Sequence, residues 1–251
     1  MTNTAFIVQA RVGSTRLSNK VLLPFFEGQS ILELLISKLK DNFSIPVIVA
    51  TTTNNQDDKL VNLIRKQNIN IFRGSENNVL KRFIEAAKEY NIKNIIRVCA
   101  DNPFLSVKYV ERLIFAWDGT CDYHSFKTVE GTPSIQTHYG FWTELVTLET
   151  LVKIQNLNVD RIYLEHVTNY IYTHPDEFKI QFEAIPEWIS ENKNIRLTLD
   201  TLDDFEVQKE IYHKLVGQEK KFDVEEIIEF LKNNPHYLKH MEQNIKQNQK
   251  K

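Results

Sequence analysis

Short apolar runs of β type alternate with longer helical patterns through about the first 120 residues, and this alternation constrains the fold more than any other feature. Ala5-Phe-Ile-Val-Gln9 predicts a buried strand. A loop follows, then a helix from about Ser30 in which Ile31, Leu34, Leu35 and Leu39 recur at helical spacing. Val47 to Ala50 predicts a second strand, and Asp57 to Gln67 a helix with Leu60, Leu63 and Ile64 on one face. Asn70 to Phe72 predicts a third strand, followed by a helix from Ser75, its candidate cap, to Tyr90. Asn94 to Cys99 is the fourth strand, and Val107 to Trp117 another helix. Strands alternating with helical patterns of roughly 10–15 residues predict an α/β fold, a mainly parallel sheet with helices on both faces. In such sheets ligands bind where loops leave the carboxyl ends of the strands.

The rhythm breaks between residues 121 and 185. Aromatic-rich strands and a helix near Asp160 to Tyr172 read there as an excursion from the sheet that serves substrate binding or dimer contacts. Asn194 to Leu199 is expected to restore a core strand, with helices at Leu202 to Leu215 and Val224 to Asn233. Residues 1–240 thus read as one domain, and the Lys/Gln/Asn-rich end, 241–251, as a frayed tail. The 31 basic and 33 acidic residues give a net charge of −2, without the basic excess of a nucleic-acid binder. Cys99 and Cys121 are too few for a disulfide framework and lack metal-ligand spacing, so buried thiols in a reducing cytoplasm are expected. No signal peptide fits the N-terminus, and no run approaches the ~18 apolar residues of a membrane span.

The segment after the first strand, Gln9-Ala-Arg-Val-Gly-Ser-Thr-Arg-Leu-Ser-Asn-Lys20, carries three cations, Arg11, Arg16 and Lys20, interleaved with Gly13, Ser14 and Thr15. Small residues let backbone N–H groups approach a ligand closely, and fixed cations offset phosphate charge. The segment is neither a Walker A loop nor a G-x-G-x-x-G fingerprint. The alternative is a solvated loop whose arginines pair with surface carboxylates. Asp101 and Asp200 each follow an expected strand and could converge on Mg²⁺, which wants one or two carboxylates plus phosphate oxygens; helix capping is the ordinary alternative for both. Arg73 after the third strand could reach a phosphate or an acid, and Thr51 could line a nucleotide pocket. Tyr139, Phe141 and Trp142 read as core or interface packing, with base stacking as the alternative.

Arg11-Val-Gly-Ser-Thr-Arg-Leu-x-x-Lys20 resembles the signature loop of the sugar-acid cytidylyltransferases, the group of the CMP-Kdo and CMP-sialic acid synthetases, and within it the SpsF-type branch. Ala50-Thr51-Thr52, Phe72-Arg-Gly-Ser-Glu76 with Val79-Leu80, Asp101-x-Pro103, Glu165-His-Val-Thr168 and Arg196-x-Thr-x-Asp200-Thr-x-x-Asp204 extend the likeness in order over about residues 4–232. The resemblance implies a Rossmann-like, GT-A-like nucleotide-diphospho-sugar transferase fold, a homodimer, and transfer of CMP from CTP to a sugar acid with Mg²⁺. It implies Arg11, Lys20, Asp101 and Asp200 as catalytic residues, with Asp101 and Asp200 as the metal ligands. Ala10, Arg11, Gly13, Ser14, Arg16, Lys20, Thr51 and Arg73 would bind nucleotide, and Glu144, Glu165 and His166 the acceptor. Ser18 stands where such chains often carry Pro. Trp142, within Gly140-Phe-Trp-Thr-Glu144, replaces an acidic residue, as do Asn77 and Asn78. Another nucleotide or a sugar-phosphate acceptor, and a non-catalytic binding protein, are the rival readings.

Overall fold

The computed structural model describes residues 3–13, 16–217 and 222–247. The strands, in chain order, are β1 (Thr4–Gln9), β2 (Pro24–Phe26), β3 (Gln29–Ser30), β4 (Val47–Thr52), β5 (Asn70–Gly74), β6 (Asn94–Cys99), β7 (Tyr123–Lys127), β8 (Glu144–Thr147) and β9 (Ile180–Ala184). The helices are α1 (Ile31–Asn42), α2 (Asp58–Arg65), α3 (Val79–Glu89), α4 (Val107–Ala116), α5 (Leu148–Asn156), α6 (Arg161–Glu165), α7 (Asn169–Thr173), α8 (Glu187–Ser190), α9 (Leu202–Val216), α10 (Val224–Asn233) and α11 (Pro235–Gln247). Seven strands form one sheet in the order β5-β4-β1-β6-β8-β7-β9, and β2 and β3 pair separately. Only β8 runs against the others in that sheet, antiparallel to both β6 and β7.

Alternating strand residues explain the two-sided cover. Phe6 and Val8 of β1 and Val47 and Val49 of β4 join one apolar cluster with α1, α4, α9 and α10. Ala5, Ile7, Ile48 and Ala50 face the other way and pack with α3, α5 and α7. The helices start where the chemistry directs. Ser30 and Glu33 form a capping box on α1, as do Thr201 and Asp204 on α9. For α3 the cap is Asn78, which accepts from the Lys81 amide, whereas Ser75 accepts the Asn78 amide one step earlier.

Three expectations need correcting. The 121–185 region does not leave the sheet: β8, β7 and β9 widen it, and the single helix expected near Asp160 to Tyr172 is two, α6 and α7. Asn194 to Leu199 is not a strand. The Leu197 and Thr198 amides both donate to the His138 carbonyl, a shared acceptor that no ladder provides, and the Leu199 amide donates to Asp101. Gly140 permits this approach, since its φ is +72° and a Cβ would lie 2.6 Å from the Leu197 carbonyl oxygen. Finally, the chain end does not fray at Met241. Tyr237, Met241 and Asn244 fall on one buried face of α11, which continues to Gln247; residues 248–251 lie outside the described residues. No helix among the described residues is long and apolar enough to cross a membrane.

Candidate functional site

The chain runs from β1 through β4 to β5 on one side, then returns to β6 on the other side of β1. This reversal opens a crevice at the carboxyl ends of β1 and β6, where open parallel sheets bind ligands. Gln9, Ala10 and Arg11 leave β1 there, and Cys99, Ala100 and Asp101 leave β6. They line a cavity of about 250 Å³ together with Arg16, Lys20, Glu165 and Asp200. The loop and both aspartates, distant in sequence, thus share one cleft. Burial pushes the Cys99 thiol above its ordinary value, so it lines the cleft as a neutral group.

Each cleft cation faces a carboxylate. Lys20 Nζ lies 2.7 Å from Asp101 Oδ2 and donates also to the Leu199 carbonyl at 2.7 Å. Arg16 Nη2 is 2.9 Å from Asp200 Oδ1, and Arg11 Nη2 is 3.6 Å from Glu165 Oε1. The loop is anchored from behind by Asp57, only 2% exposed, whose carboxylate accepts the Val12 amide at 2.7 Å, the Thr52 amide at 3.2 Å and the Thr52 hydroxyl. The Asn19 amide closes the turn onto the Val12 carbonyl.

Asp200 is held by a second buried group. Arg196, 1% exposed, forks onto Asp204 through Nε and Nη2 at 2.8 and 2.9 Å, and Nη2 also reaches Asp200 Oδ2 at 3.0 Å. Asp204 Oδ2 accepts the Asp200 and Thr201 amides as well. Burial opposes ionisation of Asp204, but the Arg196 fork and these amides outweigh it and hold its carboxyl below the ordinary value. One Asp200 oxygen is thereby fixed toward Arg196, and the other faces the cleft cation. Two carboxylates converging beside cations suit a hard divalent ion that completes its shell with phosphate oxygens and water. Among the described residues no group of three or more His, Cys, Asp or Glu forms an all-protein metal cage.

Of the remaining expected residues, Glu165 lies at the cleft and the others fall elsewhere. Arg73 is outside the cleft lining, its three nitrogens donating to the Thr52 and Asn54 carbonyls and pairing with Asp58 at 2.7 Å. Thr51 is fully buried in β4, and its hydroxyl finds no hydrogen-bond partner among the described residues. Gly13 lies exposed on the loop, and Ser14 lies outside the described residues. Glu144 is not open to an acceptor: β8 sets it directly opposite Arg97 of β6, with which it pairs, and Tyr123 and Thr168 also donate to it. Glu165 ends α6 at the cleft, and His166 turns to a neighbouring cavity of about 440 Å³ that Arg97 also lines. Tyr139, Phe141 and Trp142 are buried against one another, so they pack rather than stack on a base.

Asp57, Arg97 and the role of the Arg196–Asp204 pair escape the sequence reading. Asp57 looks like an ordinary helix start, but Arg97 gives a usable signal, a charge in the middle of the apolar strand Asn94 to Cys99.

Known proteins share this architecture. The spore coat polysaccharide biosynthesis protein SpsF of Bacillus subtilis (strain 168) is 33% identical over 242 residues, covering 94% of this chain and 96% of that protein. A cytidylyltransferase structure from Leptospira borgpetersenii serovar Hardjo-bovis superposes with a TM-score of 0.83 at 29% identity, covering 95% and 97% of the two chains. A CMP:2-keto-3-deoxy-manno-octonic acid synthetase solved with CTP shares the fold, with a TM-score of 0.63 at 13% identity over 87% of this chain and 100% of that one. Residues 5–249 match the family described as Cytidylyltransferase, and the chain belongs to that family.

Proposed function

We propose that this chain transfers CMP from CTP to a hydroxyl of a sugar acid, releasing pyrophosphate, with Mg²⁺ as the metal. The observation that carries the reading is the convergence of Lys20, Arg16, Asp101 and Asp200 on one cleft at the switch point of the sheet. Such a transfer forms an acceptor oxygen–α-phosphorus bond and breaks the bridge to the β-phosphate, with the hydroxyl proton released. The protein's part is positioning and charge neutralisation rather than covalent chemistry.

Arg11, Arg16 and Lys20 would release their carboxylate partners to hold the triphosphate, and Lys20 would offset charge that develops during transfer. Asp101 and Asp200 would hold the metal, with Arg196 keeping Asp200 oriented. A divalent cation there supplies Lewis-acid polarisation of phosphate oxygens and a lower pKa for the attacking hydroxyl. CTP as donor is supported by family membership and by the CTP complex of the structural relative. An acceptor site beside the nucleotide is supported by the second cavity, which His166 lines, next in sequence to the Glu165 that lines the cleft.

The test is pyrophosphate release from CTP, GTP, UTP and ATP with a panel of sugar-acid acceptors. CTP should be the preferred donor. Lys20→Ala and Asp101→Asn should each lower turnover by ~10²–10³, the magnitude of losing one preorganised electrostatic contact, while the unfolding midpoint stays close to that of the parent chain. Near-parental turnover in either folded variant would remove that residue from the chemistry.

A further inference from the structure

The cavity beside the nucleotide cleft is lined by an arginine whose Nε–H has no partner among the described residues. Arg97 is 8% exposed and pairs with Glu144 through Nη1 alone. Its Nε has no hydrogen-bond partner among the described residues, and Nη2 meets only Gln9 Oε1, at the 3.5 Å limit. Glu144 leaves no reason for more: one oxygen takes Arg97, and the other takes the hydroxyls of Tyr123 and Thr168. An unpaired buried N–H is penalised until a partner meets it. Unlike Arg82, whose Nε and Nη2 also lack partners among the described residues but which is fully buried, Arg97 lines a cavity that can admit one. The Nε–Nη2 edge, buried and poorly paired, is the one that receives a carboxylate through two parallel hydrogen bonds.

The surroundings fit a ligand with one acid group and several hydroxyls. The cavity, about 440 Å³, also presents Gln136, His166, Thr168, Asn169 and Tyr172, and its size falls in the range of roughly 300–1,000 Å³ usual for small-molecule sites. Asn169 Oδ1 is a second buried atom there without a partner among the described residues. Along β6, Arg97 and Cys99 project to the same face of the sheet, the face from which Cys99 lines the nucleotide cleft with Gln9.

We propose that Arg97 is the specificity-determining residue for the acceptor, its Nε–Nη2 edge binding the acceptor carboxylate. This rests on the nucleotidyl-transfer reading and adds to it the group that selects an acid over a neutral sugar. The test is calorimetry on the full chain with Mg²⁺ and CMP present, using 2-keto-3-deoxy-manno-octonate and its methyl ester as probes. The parent chain should bind the acid at least ~30-fold more tightly than the ester. Arg97→Lys, which keeps the charge and loses the fork, should reduce that preference to a few-fold. The double variant Arg97→Met/Glu144→Gln, which strands no buried charge, should bind both probes alike and retain CTP affinity within about twofold. Equal affinity for acid and ester in the parent chain, binding of neither, or an acid preference surviving in the double variant would each overturn the proposal. CTP binding and pyrophosphate release by the parent chain are read separately, so a loss of the carboxylate assignment leaves the transfer reading standing or falling on its own data.

Discussion

Asp57 immediately precedes α2, yet its carboxylate makes no cap bond to its own helix and turns to Val12 and Thr52 instead. Both oxygens accept, one from the Val12 amide of the loop after β1 and one from the end of β4. Asparagine can serve only one side, because its amide nitrogen would face a second donor. Asp57→Asn should therefore destabilise the chain by about 1–3 kcal/mol, the penalty of a buried donor left unpaired. It should also weaken CTP binding several-fold through a loosened loop. Thermal unfolding and CTP titration measure the two effects; a variant with unchanged stability and unchanged CTP affinity would refute the anchoring role. This part of the site was not legible in the sequence. An acid ahead of a helical pattern is an ordinary start signal, and its real partner, Val12, is 45 positions away.

The stretch from Asn194 to Asp200 shows why an element can carry a site without regular hydrogen bonding. Its shape comes from the Arg196–Asp204 fork, from the shared His138 carbonyl and from α11, where Met241 Sδ accepts the Arg196 amide and Asn244 reaches Asp203. Removing one partner of a buried pair leaves the other uncompensated, so Asp204→Asn should cost about 3–5 kcal/mol at neutral pH. The sign with pH follows from the lowered carboxyl of Asp204. Its contribution is complete above the unfolded value near 3.9 and is lost as pH falls through the lower folded one. Denaturant unfolding of parent and variant should therefore show a constant gap from about pH 5 to 8 that narrows below about pH 4. A gap independent of pH down to 2 would contradict this. The sequence carried the Arg196…Asp204 spacing but not its geometry. Six residues of alternating apolar character look like a strand, and nothing local reveals that Gly140 brings another backbone across them.

Across the whole molecule, the first four strands of the sheet were legible because each is a short apolar run followed by a periodic helix. The position of β7, β8 and β9 was not, since strand order is settled by pairing over tens of residues rather than by local pattern. The same long-range assembly sets the charge state of the cleft. Arg11–Glu165, Arg16–Asp200 and Lys20–Asp101 join the β1 loop to the ends of α6, of the 194–200 segment and of β6, so the free cleft neutralises itself. If the proposed site holds metal and triphosphate, a divalent ion arriving alone would have to displace Lys20 and Arg16 from Asp101 and Asp200. A triphosphate arriving alone would have to draw those cations away and leave two carboxylates facing phosphate. Arriving together, each would find the partner the other has released, so the two bindings are expected to be favourably coupled. Lys20→Met separates the halves of this exchange, because it frees Asp101 while removing a phosphate ligand. Binding of Mn²⁺ without nucleotide, followed by electron paramagnetic resonance of the free ion, should strengthen by about tenfold in this variant, a coupling of the usual 1–3 kcal/mol size. Its CTP affinity should fall by a similar factor. If Mn²⁺ binds Lys20→Met no better than the parent chain, the lysine is not competing for the metal's carboxylate and the exchange does not operate.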